Sequence, residues 1–171
     1  MKTIFNKFIL LGCLFVFVNE NILAQEYDAI DVKCIKVNNK VNILNSTQED
    51  VINAFGKPDR IETFFNEMFD EKPTYRYWYN NSYFDIYERK LDIFEVKDAE
   101  YSVLGFAPGM RLKELQKKFS NSFTLKYDND EELPYYIIRI DLKFNGDHVD
   151  CRLLFKINDE KILSIEYWED Y

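Results

Sequence analysis

The sequence predicts an α+β protein made of two units, each a short helix followed by an antiparallel meander of strands. Two short amphipathic segments, residues 47–55 and 110–119, each precede runs rich in Tyr, Phe, Ile and Val. Such residues favour strands. Turn pairs at Asn80-Asn81 and Asn145-Gly146 divide these runs. Each unit therefore has one helix followed by several strands, an order of elements that indicates an α+β protein.

Composition excludes several classes of protein. The 171 residues are 47% hydrophobic and include only 5 Gly, 4 Pro and 3 Cys, which excludes collagen-like, disordered and disulfide-dense chains. The chain has 22 basic and 30 acidic residues, a net charge of -8. Because nucleic-acid binders normally carry a basic excess or patch, no nucleic-acid partner is expected.

The first segment predicts a secretory leader. Lys2 and Lys7 precede an apolar run at residues 8–18, and Ala24-Gln25 offers a cleavage junction. This run is too short to span a bilayer, which needs about 20 apolar residues, but fits a signal peptide. Cleavage after Ala24 would leave 20 basic and 29 acidic residues, a net charge of -9. The composition and this junction resemble those of secreted Bacteroidota proteins.

A competing interpretation of the leader is lipidation. The sequence Leu10-Leu11-Gly12-Cys13 resembles a bacterial lipobox, in which Cys13 would carry the lipid. Cleavage before Cys13 would leave a short apolar stretch ahead of it and an apolar run behind it, which favours the signal peptide. Secreted or periplasmic location is therefore expected, with outer-membrane lipid anchoring as the alternative.

Two cysteines remain after the leader, Cys34 and Cys151. In an oxidising compartment such a pair invites a disulfide. The alternative is two separate buried thiols, since free Cys is among the most buried residue types. Both interpretations stay open at the sequence level.

The first unit begins after a lead-in and one strand. Residues 29–37 and 41–44 predict strands around an Asn-rich turn. Ser46 and Glu49 fit a capping box at the start of helix 47–55, and Gly56 ends that helix. Further strands are predicted at 61–65, 74–79, 83–87 and 91–96.

The second unit follows the same order of elements. Leu112, Leu115 and Phe119 share one face of the helix at 110–119. Strands follow at 135–144, 148–157 and 161–168, and Asn145-Gly146 is typical of a type I′ hairpin turn. The predicted organisation is a signal peptide at 1–24, a lead-in and strand at 25–40, and repeats at 41–104 and 105–171.

Short motifs in both units carry a family resemblance. The segments from Ser46 to Val51, Phe55 to Asp59 and Tyr77 to Tyr79 resemble the SmpA/OmlA outer-membrane lipoprotein family. Gly109-Met110 and the segment 153–165 resemble a second copy. A tandem pair is similar to the β-lactamase inhibitory protein (BLIP-like) architecture, which implies one curved sheet with helices on one face. No binding residue of those families carries over.

The sequence offers few residues in patterns typical of catalytic sites. It contains no Gly-x-Ser-x-Gly and no His-Glu-x-x-His motif. His148 and Cys151 could pair, but residues three apart on a strand point to opposite faces. The acidic segment 128–132 could hold calcium, but it lacks the ligand spacing of an EF-hand and is expected to be a solvated loop. We therefore expect no catalytic residues, no metal site and no cofactor.

Tyrosine-rich strands give the candidate binding surface. Alternation places Phe84 and Ile86 toward a helix-covered core, and it leaves the tyrosines for an open sheet face. Tyr is enriched at binding hot spots, although cross-strand aromatic pairs can serve stability alone. The predicted partner-binding residues are Tyr75, Tyr77, Tyr79, Tyr83, Asp85 and Tyr87.

The expected function is a non-enzymatic binding module that recognises a protein partner, a basic one given the negative charge. An envelope structural or assembly lipoprotein anchored at Cys13 is the alternative. An enzyme with an unrecognised carboxylate site ranks last, because no residue constellation supports it.

Overall fold

The computed structural model describes residues 26–65, 72–125 and 134–169. The predicted leader with Cys13 and the acidic segment 128–132 lie outside these residues. The chain is α+β, as predicted, with a large and mostly antiparallel sheet and few helices. Among the described residues, no helix is both long and apolar enough to cross a bilayer.

Eight strands form the main sheet in the order β1-β8-β9-β10-β7-β6-β5-β4. All neighbouring pairs are antiparallel except β1 with β8. Strands β7 and β10 pair at the centre and join the two meanders. The bounds are β1 Ala29–Asp31, β4 Arg60–Phe64, β5 Thr74–Tyr79, β6 Ser82–Tyr87, β7 Lys90–Val96, β8 Tyr136–Phe144, β9 Asp147–Asn158 and β10 Lys161–Glu169.

The strand predicted at 29–37 is divided. After β1, the Asp31 carboxylate accepts a hydrogen bond from the Lys33 amide at 2.8 Å and begins a single 3₁₀ turn, Val32–Cys34. Side chains of this kind compete with strand hydrogen bonding by capping local turns. The chain then forms β2 (Lys36–Val37), which pairs with β3 (Val41–Asn42) in a separate hairpin.

The first helix, α1, spans Gln48–Phe55 and starts one residue later than the sequence pattern suggested. Its capping box uses Thr47 and Asp50 rather than Ser46 and Glu49. The Thr47 amide donates to Asp50 Oδ2 at 2.8 Å, and the Asp50 amide donates to Thr47 Oγ1 at 3.3 Å. Gly56 ends the helix with φ of 87°, which favours glycine.

The second helical region is two helices rather than one. Helix α2 spans Leu112–Lys118 and α3 spans Ser120–Leu125, separated at Phe119 by a non-helical backbone. Leu115 and Phe119 are buried as the spacing predicted. Asn145 and Gly146 have φ of 54° and 98°, consistent with the predicted hairpin turn.

Aromatic side chains join the helices to the sheet. Phe55 of α1 stacks on Phe84 with ring centroids 5.0 Å apart. Phe119, which follows α2, packs against Phe155 at 6.3 Å. Phe84, Phe94 and Phe155 are fully buried, and their side of the sheet is called the core face below.

Candidate functional site

The predicted tyrosine face does not exist as one surface. Tyr77 lies opposite Phe84 and Tyr79 opposite Ser82, while Trp78 lies opposite Tyr83. Directly opposed residues point to the same side of a sheet. The β5 tyrosines (Tyr75, Tyr77 and Tyr79) therefore lie on the core face, and the β6 residues Tyr83, Asp85 and Tyr87 lie on the opposite face.

Burial also corrects the prediction of an open tyrosine surface. Tyr77, Tyr79 and Tyr83 are less than a tenth exposed, and only Tyr75, at 41%, is clearly open to solvent. The Tyr79 hydroxyl donates to the Gly56 carbonyl at 3.0 Å. Burial raises the pKa of Tyr79 to about 12. These tyrosines therefore pack and stabilise the sheet, which is the cross-strand alternative considered for the sequence.

The face opposite the core carries buried ion pairs instead. Arg76 donates from Nε and Nη2 to the two carboxylate oxygens of Asp85, at 2.8 and 2.7 Å. The guanidinium also lies over the Tyr83 ring, 3.8 Å from its centroid. Burial raises the pKa of the Asp85 carboxyl, and the hydrogen bonds from Arg76 oppose that shift. A bidentate pair of this kind fixes geometry as well as charge.

A second cluster lies beside it on the same face. Lys156 Nζ contacts Glu95 Oε1 at 2.8 Å and Glu166 Oε2 at 3.0 Å. Lys97 Nζ contacts Glu95 Oε2 at 2.8 Å, and the Ser164 hydroxyl donates to Glu95 Oε1 at 3.0 Å. Burial tends to raise the pKa of Glu95, but the lysine hydrogen bonds outweigh it and the pKa is lowered.

Glu166 behaves in the opposite way. Burial raises its pKa, and Lys156 only partly offsets that effect. In both clusters together, the cations Arg76, Lys97 and Lys156 match the anions Asp85, Glu95 and Glu166. The charges of these two clusters therefore compensate one another within the fold.

A cleft at one end of the sheet has a different character. It has a volume of about 640 Å³ and lies where β7, β9 and β10 meet the 3₁₀ turn and the residues after β3. Its apolar walls are Val32, Ile43, Leu44, Leu91, Phe144, Val149 and Tyr167. Its polar groups are Asp92, His148, Asp150, Cys151 and Glu169.

A β-bulge shapes this cleft. Asp141 pairs with Arg152, but the next residue of β8, Leu142, pairs with Val149. Asp150 and Cys151 therefore have no partner in β8, which is the signature of a bulge. His148 and Cys151 both border the cleft, and the register keeps them on opposite sides of β9, as alternation predicted.

The rim of the cleft is acidic. Asp92, Asp150 and Glu169 supply three carboxyl groups, and no lysine or arginine belongs to the described lining. The nearby ammonium group of Lys33 lies 4.9 Å from the Phe144 ring centroid and donates to Asn145 Oδ1 at 2.7 Å. An apolar floor beneath carboxylates suits a ligand that combines a cation with an apolar body.

The thiol chemistry of the cleft is weak. Burial raises the pKa of Cys151, and a hydrogen bond with the Tyr167 side chain only partly opposes it. Because the thiolate is the nucleophile, a thiol of raised pKa is a poor one at neutral pH. Cys34 lies exposed on the 3₁₀ turn, and both thiols are free, so the disulfide considered for the sequence is not formed.

The remaining predicted groups add no metal site to this region. Within residues 26–65, 72–125 and 134–169, no group of three or more His, Cys, Asp or Glu side chains is arranged to hold a metal ion. Sequence reasoning missed Asp92, Asp150 and Glu169 altogether. Glu169 could have been found from its place at the end of the last strand, whereas the bulge that turns Asp150 toward the cleft has no Gly or Pro to mark it.

Comparison with known proteins gives one distant structural likeness. No protein-family model matches the chain, and no curated protein matches it. A solved structure of an extracellular protein containing an SCP domain, from Bacillus anthracis strain Ames, aligns with a TM-score of 0.41 and 15% identity. The alignment covers 75% of this chain and 45% of that one, so the chain spans less than half the length of that protein.

Proposed function

We propose that the protein is a secreted or periplasmic, non-enzymatic binding module whose cleft takes a basic, partly apolar segment of a protein partner. The observation that carries this proposal is the lining of the cleft, which combines seven apolar side chains with three carboxylates and, in the part of the chain that the structure describes, includes no lysine or arginine. An arginine or lysine side chain can place its aliphatic stem on such a floor and its charge on such a rim.

The size of the cleft supports the same assignment. Its volume of about 640 Å³ falls within the roughly 300–1,000 Å³ that small-ligand sites occupy. This space suits one or two side chains rather than a whole domain. Carboxylate–guanidinium contacts are strong and directional, so Asp150 and Glu169 would determine specificity while the floor supplies apolar contact.

Cys151 and the buried carboxylates of the face opposite the core support the non-enzymatic part of the proposal. Burial keeps Cys151 in its thiol form, which disfavours a cysteine nucleophile. The buried carboxylates of the opposite face are held by lysine and arginine. Such groups are engaged in the fold rather than presented to a substrate.

The placement of the helices and the division into two units are part of the same proposal. We place the helices on the core face of one curved sheet, in two repeated units joined at β7 and β10, since α1 and the residue after α2 contact aromatic residues of that face. A secreted state follows from the leader pattern at 1–24. The mass of the mature protein tests it: a chain starting at Gln25 supports secretion, and a diacylated Cys13 supports the anchored alternative.

Peptide binding tests the cleft. An array of hexapeptides, each with two adjacent apolar residues beside Arg, Lys, Glu or Ser, is probed with the protein and with an Asp150→Lys/Glu169→Lys variant. We expect the Arg and Lys peptides to be retained preferentially and lost in the variant. A Glu114→Lys/Asp159→Lys variant is the matched control, since it changes the net charge equally at residues outside the cleft lining. Equal retention of acidic and basic peptides, or equal loss in both variants, would refute the proposal.

A further inference from the structure

The outer edge of the sheet at β4 is exposed and carries large apolar side chains among polar ones. In the part of the chain that the structure describes, β5 is the only strand that pairs with β4. Every residue of β4 is exposed. Ile61 is 52% exposed and Phe65, just beyond the strand, is 59% exposed, which makes them the most exposed large hydrophobic residues described. An exposed, apolar edge strand is a template for pairing with another strand.

We propose that this edge binds the same edge of a second copy of the chain, antiparallel about a two-fold axis at Thr63, so that Ile61 of each copy lies opposite Phe65 of the other. This surface is separate from the cleft of the proposed function. It would extend the eight-stranded sheet continuously across a dimer. A two-fold interface requires one surface that is complementary to itself, and the sequence of β4 meets that requirement.

The choice of axis follows from the alternation along β4. Ile61 and Thr63 lie on the core face, because Ile61 lies opposite Tyr77 and Thr63 opposite Tyr75, and continued alternation would place Phe65 on the same face. On the core face, an axis at Thr63 pairs Ile61 with Phe65 twice and Thr63 with itself; on the opposite face it places Glu62 opposite Phe64 of the other copy. Aromatic–β-branched pairs and Thr–Thr pairs are favourable across strands.

The neighbouring axes are less favourable. An axis at Glu62 would place that carboxylate directly opposite its own copy, and like charges directly opposite are destabilising. An axis at Ile61 would place Arg60 opposite Glu62 of the other copy. Those two side chains already contact each other within one chain at 3.2 Å, so that axis gains little new charge pairing and leaves Phe65 outside.

Sedimentation equilibrium over a range of protein concentrations tests the dimer. We expect the protein to dimerise reversibly, and we expect Ile61→Lys to raise the dimer dissociation constant about tenfold or more, because both copies of the Ile61–Phe65 contact are lost. The control is Leu163→Lys on β10, since Leu163 is similarly exposed at 47% and should leave the dimer unchanged. A protein that stays monomeric, or equal effects of the two lysines, would overturn the proposal.

Cross-linking tests the axis without relying on those substitutions. In a chain with Cys13, Cys34 and Cys151 replaced by serine, single cysteines are introduced as Ile61→Cys, Glu62→Cys or Thr63→Cys. A residue on the axis meets its own copy, so Thr63→Cys should form disulfide-linked dimers at least about five times faster than the other two. Faster cross-linking at position 61 or 62 would overturn the Thr63 axis.

Discussion

Replacing Lys156 by methionine should destabilise the protein strongly at neutral pH and much less in acid. Lys156 joins Glu95 and Glu166 at 2.8 and 3.0 Å. The three side chains are only 18%, 5% and 10% exposed, so solvent screens them little. Methionine fills a similar volume without charge, so the variant isolates the loss of the ammonium group.

The expected magnitude follows from what each carboxylate retains. At about 3 Å and an effective dielectric constant of about 20, each contact is worth roughly 5 kcal/mol before desolvation is subtracted. Breaking a buried pair by removing one partner costs about 3–5 kcal/mol. Glu95 keeps Lys97 in the variant, whereas Glu166 loses its ion pair with Lys156. We therefore expect a loss of about 3 kcal/mol at pH 7.

The pH dependence of this stability loss identifies the Glu166 carboxylate as its cause. Burial already raises the pKa of Glu166, and Lys156 opposes that shift, so its removal raises the pKa further. Between the ordinary value of about 4.3 and this raised pKa, the folded variant binds more protons than the unfolded chain. Its stability relative to the parent protein should therefore recover as the pH falls through this window.

Urea unfolding followed by tryptophan fluorescence measures this effect at about pH 7 and at about pH 4, the latter below the ordinary glutamate pKa. Lys97→Met is the matched control, because Lys97 is 42% exposed and its partner Glu95 keeps Lys156. Solvent screening limits that loss to less than about 1 kcal/mol. A Lys156→Met cost that is equal at both pH values, or no larger than that of Lys97→Met, would contradict the reasoning.

Three further predictions test the burial of Tyr77, the thiols and the helix cap. Tyr77→Ala should lower the free energy of unfolding by about 3 kcal/mol through loss of buried packing, while Tyr75→Ala, at a 41% exposed position, should cost less than about 1 kcal/mol; equal costs in urea unfolding would argue against the difference in burial between these two tyrosines. Iodoacetamide should label exposed Cys34 at least about ten times faster than Cys151, whose pKa is raised by burial. Mass spectrometry after timed quenching measures the two rates, and faster labelling of Cys151 would contradict this expectation. Thr47→Ala should cost about 1 kcal/mol by removing the acceptor of the α1 capping box, and no change in the thermal midpoint would exclude that role.

Much of the fold could be predicted because the local signals agree with one another. Helix α1 has a capping residue, an apolar stripe and a terminal glycine, and the Asn145-Gly146 turn fixes its hairpin. The α2–α3 region shows where such signals end. The apolar spacing of Leu112, Leu115 and Phe119 was correct, but it does not reveal the break in the helix at Phe119.

The candidate site was predicted poorly for a physical reason. Alternation assigns residues to two sides of one strand, but only the pairing register relates one strand to the next. Alternation groups the three β5 tyrosines correctly, but the register places them beside Ser82, Phe84 and Ile86 of β6 rather than beside Tyr83. The lining of the cleft depends on the register between strands and also on the bulge after Asp141, which changes how β9 pairs with β8.

The position of β1 has a consequence for the order in which the chain can fold. Ala29 pairs with Asp141, so a strand that leaves the ribosome early finds its place only after most of the chain has been made. The hairpins from β4 to β7 need only local closure and can form first. The N-terminal strand must wait without a partner until β8 is complete. Docking of β1 is therefore expected to follow the synthesis of β8, and the strand near residue 29 would stay unpaired for longer than any strand of the β4–β7 hairpins.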